Sequence, residues 1–377
     1  MEGTMVVKIA DNILSPLGFG TAENYRAVKA GRSELRHYDG VRGVAEPFVA
    51  SLIDRGSVTV EGSYTFFEKM VIASIAQAVA QAGIDPASPK VQFILSTTKG
   101  NVHLLDKSDA EYNRERALPG AAAEKVAQHF GNPNRPVVVS NACTSGVCAL
   151  IVAMRLLEQG LYDYTVVAGA DMQSPFIISG FQSFKALSPD PCRPFDKQRC
   201  GLNLGEAAAT MILTRKEIVP EAEWTLVRGA IRNDANHISG PSRVGEGSFR
   251  ALTSALGNTP AGEIAFVNAH GTATPYNDEM ESIAITRAGL QGVPVNSLKG
   301  YYGHTMGAAG VLESIISMQA VEDHTVLPTR GFEALGVSNP IRVSASAGTT
   351  DRKAFVKLLS GFGGCNAALL FRKEGKQ

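Results

Sequence analysis

Short β-branched apolar runs alternate along the chain with longer stretches of helical periodicity. Met5 to Ala10, Val91 to Ser96, Pro136 to Ser140, Tyr164 to Ala170 and Glu206 to Leu213 read as strands. Thr21 to Ala30, Phe66 to Ala82, Ala121 to Phe130 and Thr144 to Gln159 read as helices, the first two ending at Gly31 and Gly83. The continuous apolar run from Pro136 to Ser140 predicts a strand covered on both faces. Thr144 to Gln159 is apolar almost all round, which predicts burial in a core or a subunit interface. Pro and acidic residues between Val219 and Trp224 predict a connection, and alternation then resumes. Glu263 to Asn268, Lys353 to Ser360 and Asn366 to Arg372 read as strands, the last two joined by Gly361-Phe362-Gly363-Gly364 as a hairpin turn. Asp278 to Ala288 and Thr305 to Val321 read as helices. The pattern predicts an α/β fold with two core-forming halves, 1–220 and 221–377, and no residue-level repeat proves a duplication.

Length and composition narrow this picture. A chain of 377 residues is long for one core. Its 44% hydrophobic and 19% charged residues suit an ordered globular protein. Lys plus Arg (36) balance Asp plus Glu (36), so no long-range field draws the chain to nucleic acid or to a membrane surface. The N-terminal segment lacks the pattern of an export signal, and the apolar run Val147 to Met154 is too short to span a bilayer. Five cysteines without CxxC pairing point to a reducing, cytoplasmic setting and away from a disulfide scaffold.

Three residues stand where chemistry would be expected. Cys143 lies between a buried strand and the start of a buried helix. There the helix dipole would lower a thiol pKa from about 8.5 toward roughly 3.5 to 7.5, giving a nucleophile at neutral pH. The alternative is a small buried hydrophobe. His270, in Asn268-Ala269-His270-Gly271-Thr272, and His304, in Gly303-His304-Thr305, each stand at a strand end in a glycine-rich loop, where α/β sheets place their crevices. Either could instead be structural. One Cys and two His could also supply three of four zinc ligands, but none is paired at short metal-ligand spacing, and no metal is expected. His37, His103, His129, His237 and His324 have no comparable setting.

Taken in order, several motifs resemble the elongating β-ketoacyl synthases: Asn141-Ala142-Cys143-Thr144-Ser145-Gly146; Arg193-Pro194-Phe195-Asp196 with Arg199 and Gly205-Glu206; Asn268 to Thr272 with Asn277-Asp278 and Glu281; Lys299 with Gly303-His304; and Gly361-Phe362-Gly363-Gly364. The match runs from Ser15-Pro16-Leu17-Gly18 to the last strand. This resemblance implies the thiolase fold, two similar α/β halves in a five-layered αβαβα arrangement, usually dimeric. It implies an acyltransferase of fatty acid, polyene or polyketide-type synthesis that carries out a decarboxylative Claisen condensation. An acyl chain held as a thioester on Cys143 would join malonyl-[acyl carrier protein] to give 3-oxoacyl-[acyl carrier protein]. The backbone N–H groups of Cys143 and Phe362 would hold the oxyanion, and His270 and His304 would bind the malonyl thioester carbonyl. Lys299, paired with Glu281, would orient His304. Thr272 and Thr274 match positions that bond the phosphopantetheine arm, Gly363 belongs to the same substrate-binding set, and Phe362 matches a gating ring. Asp278 reads as a helix cap. Asn268, Glu281 and Glu313 match positions that in some members hold a monovalent cation. No cofactor of the chain's own is implied, because phosphopantetheine arrives on an acyl carrier protein. That carrier should be acidic, so a local Lys/Arg patch is expected near the entrance. The implied partners are that carrier, acyl and malonyl thioesters, and a second copy or a related synthase subunit.

Some positions depart from the family pattern. Cys200 stands where Asp is usual, Leu202 where Phe is usual and Cys365 where Thr is common, and the chain is short between Thr98 and Pro136. Cys365 could imitate the second cysteine of thiolases, although the His304 loop argues against it. A non-condensing partner subunit would lack Cys143, and an acyl-binding or carrier-binding scaffold of the same fold would have lost its site.

Overall fold

Residues 4–105 and 114–375 are described by a computed structural model. Ten strands form its frame. In the first half these are β1 (Val6–Leu14), β2 (Val91–Ser96), β3 (Val137–Val139), β4 (Tyr164–Asp171) and β5 (Ala207–Arg215). In the second they are β6 (Trp224–Asn233), β7 (Ile264–Asn268), β8 (Pro294–Asn296), β9 (Ala354–Gly361) and β10 (Cys365–Lys373). Their spatial orders are β3-β2-β4-β5-β1 and β8-β7-β9-β10-β6. In each half the first three strands in that order run parallel and the last two pairings are antiparallel. The two halves therefore share one topology, a repeat carried by strand order where residue-by-residue comparison detects none. Val6, Val7 and Lys8 of β1 pair with Leu226, Thr225 and Trp224 of β6, which joins both sets into one continuous sheet.

Helices α1 (Thr21–Lys29), α2 (Phe66–Ala82), α3 (Pro119–His129), α4 (Ser145–Glu158) and α5 (Pro175–Ser183) belong to the first half. The second half contains α6 (Glu246–Leu256), α7 (Pro275–Arg287), the single turn α8 (Lys299–Tyr302) and α9 (Ala309–Glu322). Thr65 and Glu68 start α2 with a reciprocal capping box, and Gly83, at φ 64°, ends it. α2 and α3 cover one outer face, α6 and α7 the other, and α4 and α9 lie between the two strand sets, which completes the αβαβα layering. α4 and α9 touch through glycines: a Cβ on Gly310 would come within 2.4 Å of Val147 N and 2.8 Å of Gly146 Cα. Any larger residue would force the two helices apart.

Most elements fall where the hydrophobic pattern puts them. β3 is covered on both faces as expected, Val137 and Val139 packing toward α4 and Val138 toward α3, and it is half-buried only because it lies at the sheet edge. The segment expected to be helical from Thr305 opens with a 3₁₀ turn, Met306–Ala308, before α9. The expected shortening between Thr98 and Pro136 includes residues 106–113, outside the described residues. Among the described residues no helix is long and apolar enough to cross a membrane.

Candidate active site

The turn between β3 and α4 presents Cys143. Ala142 adopts φ 47°, a left-handed conformation that costs a residue with a Cβ about 1 kcal/mol or more. Ser145 holds this turn from both sides, its Oγ donating to Ala142 O (2.6 Å) and accepting from Asn141 N (2.8 Å). His270 follows the end of β7, and His304 follows α8 after Gly303, at φ 68°. Sγ of Cys143 and a ring nitrogen of each histidine all lie within 4.8 Å of one another, and the imidazole centroids are 5.0 Å apart at 79°. All three side chains are buried and line a cavity of about 470 Å³, whose wall also includes Thr272, Thr274 and Phe362.

Burial pushes the Cys143 thiol up to about 11, with Lys299 and Lys99 opposing. Loss of solvation thus favours the protonated thiol, against the resting thiolate expected from the helix start alone. Burial first, and then the charge of Lys299, hold both His270 and His304 well below the usual imidazole range. Both rings are therefore neutral at pH 7. His304 Nδ1 accepts the Met306 N–H at 3.3 Å, which leaves its buried, unpartnered Nε2 as the donor. His270 Nδ1 is likewise buried and without a partner. Two neutral rings beside a thiol can take up its proton and can donate hydrogen bonds to an oxygen that gains charge.

The supporting shell differs in part from expectation. Lys299 Nζ bonds to Glu313, not to Glu281. Glu281 instead accepts the backbone N–H groups of His270 and Gly271, each at 2.7 Å, and so fixes the His270 loop directly. Burial, with Asp278 nearby, raises Glu281 to about 7. Asp278 does not cap α7, whose N-cap residue is Thr274. Its carboxylate accepts Phe195 N–H (2.6 Å) and Ala273 N–H (3.2 Å), tying together two residues held at φ 62° and 65°. Thr272 and Thr274 pair through their hydroxyls at 2.9 Å on the cavity wall.

The Gly361–Gly364 turn brings Phe362 beside the site, and a Cβ on Gly361 would lie 3.1 Å from Cys143 N. Gly363 does not line the cavity; its N–H donates to Ile238 O at 2.7 Å, whereas Gly361 and Gly364 do line it. Cys365 donates to Asn141 Oδ1 at 3.0 Å and is not part of the Cys143 cluster. The oxygens of Asn268 and Glu313 do converge, but they meet on the ammonium of Lys357, and Glu281 stands apart from them. A monovalent cation therefore does not fit these residues as they stand.

Three contributors were not anticipated from sequence. Lys357 is one, and its signal was a lone cation inside the apolar run Ala354 to Leu359. Asp171, at the end of β4, receives Thr97 Oγ1 (2.7 Å), Thr98 N (2.9 Å) and Gly307 N (2.7 Å), clamping the loop before α9 to the first half. Phe181 and Phe184 are the third: their rings flank Phe362 at 5.8 and 5.3 Å.

Known proteins are similar to this chain in sequence and fold. The β-ketoacyl synthase N-terminal domain matches residues 59–218, and its C-terminal domain matches residues 225–333. A 3-oxoacyl-[acyl-carrier-protein] synthase 2 from Vibrio cholerae is 28% identical over 99% of this chain and 100% of its own. Nodulation protein E from Rhizobium meliloti is 31% identical, covering 96% of this chain and 97% of its own. Among solved structures, a β-ketoacyl synthase from Burkholderia phymatum superposes with TM-score 0.88 at 25% identity, over 99% of this chain and 100% of its own. A ketosynthase in complex with its chain length factor, from Xenorhabdus doucetiae, superposes with TM-score 0.91 over 98% of each chain; at 24% identity that likeness speaks for the fold. The ordered motifs, the duplicated topology and these matches agree: the chain belongs to the β-ketoacyl synthases, in their elongating form.

Proposed function

We propose that Cys143, His270 and His304 carry out decarboxylative condensation of an acyl chain with a malonyl thioester. In the first step Sγ attacks the thioester carbonyl of an acyl carrier. The C–S bond to the carrier breaks, and the thiol proton leaves with the carrier thiol. Backbone N–H groups of Cys143 and Phe362 face the developing oxyanion, each donor worth about 3 to 4 kcal/mol. In the second step the malonyl thioester oxygen lies between the two imidazoles. The bond to its carboxylate breaks, CO2 departs, and the electron pair becomes an enolate stabilised by the imidazole N–H donors. The enolate carbon attacks the acyl carbonyl, a C–C bond forms, and the Cys143 sulfur leaves to be reprotonated. The positive charge of Lys299 and Lys357 favours the anionic intermediate and disfavours a divalent metal at the same three side chains.

The observation that carries this reading is the convergence of one sulfur and two neutral imidazoles within 4.8 Å on a cavity wall. Cys143→Gln tests it: condensation stops, while malonyl decarboxylation persists or rises. A Cys143→Gln protein that still condenses removes Cys143 from the role. Mass spectrometry with an acyl carrier substrate should find the acyl adduct on Cys143, and unmodified protein would leave only a binding scaffold.

Thr272 and Thr274 would line the path of the phosphopantetheine arm. The carrier would dock near Lys185, a basic residue in the cavity wall, so Lys185→Glu should raise KM for the carrier with little change in kcat. We place the division of the chain at 220/221, between β5 and β6. The half-buried edge strand β3 offers a hydrogen-bonding rim for a second chain of the same fold, a copy or a related subunit. All five cysteines are free thiols, which fits a cytoplasmic setting.

A further inference from the structure

Lys357 is fully buried in β9, and four oxygens converge on its Nζ. Glu313 Oε2 is at 2.5 Å, Asn268 Oδ1 at 2.7 Å, Ala269 O at 3.2 Å and Asn268 O at 3.3 Å. All three residues supplying these oxygens are themselves buried. Two carbonyls, an amide oxygen and a carboxylate pointing at one spot form an oxygen cage of the kind that takes a hard cation. Without a positive charge at its centre, one oxygen of the buried Glu313 carboxylate, the Asn268 amide oxygen and two backbone carbonyls would each lose this contact in a site that water does not reach. Ala269 and Asn268 directly precede His270, so whatever sits in the cage sets where that imidazole stands. The other oxygen of Glu313 holds Lys299, which links the cage to the His304 side of the cavity. Asn268 is further fixed by donating from Nδ2 to Asn296 Oδ1 at 2.8 Å.

We propose that the Lys357 ammonium is a built-in cation that positions His270, so that this chain condenses without any added monovalent ion, and that removing the side chain turns the same oxygens into a site for potassium or sodium. The role in condensation rests on the Cys143, His270 and His304 assignment above; the occupancy of the cage does not.

Two measurements at constant ionic strength test it, with tetramethylammonium chloride as the salt too large for the cage. The wild-type protein should show the same turnover and melting temperature whether tetramethylammonium, sodium or potassium is present. Lys357→Ala should lose at least about tenfold in turnover in tetramethylammonium, by analogy with residues that orient catalytic ligands. Potassium or sodium should restore the turnover saturably and raise the variant's melting temperature in parallel. Lys357→Met, which fills the space with an apolar chain, should lose turnover without rescue. Wild-type turnover that depends saturably on potassium would overturn the proposal. So would a Lys357→Ala protein that is fully active in tetramethylammonium, or one whose melting ignores potassium, whether folded or not. If the melting pattern holds while no protein condenses, the fault lies with the reaction assigned to the site and not with the cage.

Discussion

Burial decides the protonation of every group at the centre of this site. His270 and His304 are held neutral by desolvation and by Lys299, so condensation should persist as pH falls through 6.5, the ordinary imidazole value. The stability consequence has the opposite sense. Below pH 6.5 the unfolded chain takes up protons on these histidines that the folded chain refuses, so stability falls as pH is lowered. Turnover and denaturant midpoints recorded across pH 5 to 8 check both parts; an activity loss centred at 6.5 would mean that the rings titrate normally. The three candidate residues were legible because two histidines in glycine-rich loops and a cysteine at a helix start are not what packing alone selects, although only His270 stands at a strand end and His304 follows the turn α8 instead. Their ionisation was not, since the helix-end argument contains no desolvation and burial turned out larger. Lys357 was illegible for a related reason: a lysine in an apolar strand makes sense only once its oxygen partners, from another strand and from α9, are known. Glu313 takes the partner expected for Glu281, because both are carboxylates near Lys299 in sequence order and only the packing of α9 decides which one reaches it.

Helix ends and glycine contacts carry the geometry from residues to elements. The glycine contact between α4 and α9 sets the distance between the helix that follows Cys143 and the helix that follows His304. Gly310→Ala should therefore cost about 1 to 3 kcal/mol, as overpacking does, and lower kcat more than it changes KM. Urea denaturation with steady-state kinetics checks this, and unchanged turnover would show that the helices yield without moving the site. Thr65→Ala removes one side of the α2 capping box and should cost about 1 kcal/mol, with turnover retained. The limits of α2 and β2 could be placed from sequence because caps and turn residues sit at their ends. The cover on both faces of β3 was legible from its β-branched run, but its place at the sheet edge was not, because such a run looks the same whether its backbone is paired on one side or on both.

For the molecule as a whole, the exposed rim of β3 predicts association. Sedimentation should give a species larger than one chain, and Val138→Lys should shift it toward the monomer, since a charge at a sheet edge opposes strand addition. A wild-type monomer across the micromolar range would count against pairing through β3. Two α/β halves were legible from the alternation of runs, whereas their duplication lay in strand order, which no local pattern reports. The seam between β1 and β6 has its own bearing on how the chain is made. β1 precedes the other strands of the sheet in the chain yet lies in its interior, and neither of its neighbours exists until residues 207–233 have been synthesised. That strand must wait for some two hundred further residues before either edge is paired, and the three-residue seam to β6 closes last, after each half has supplied the five strands of its own set.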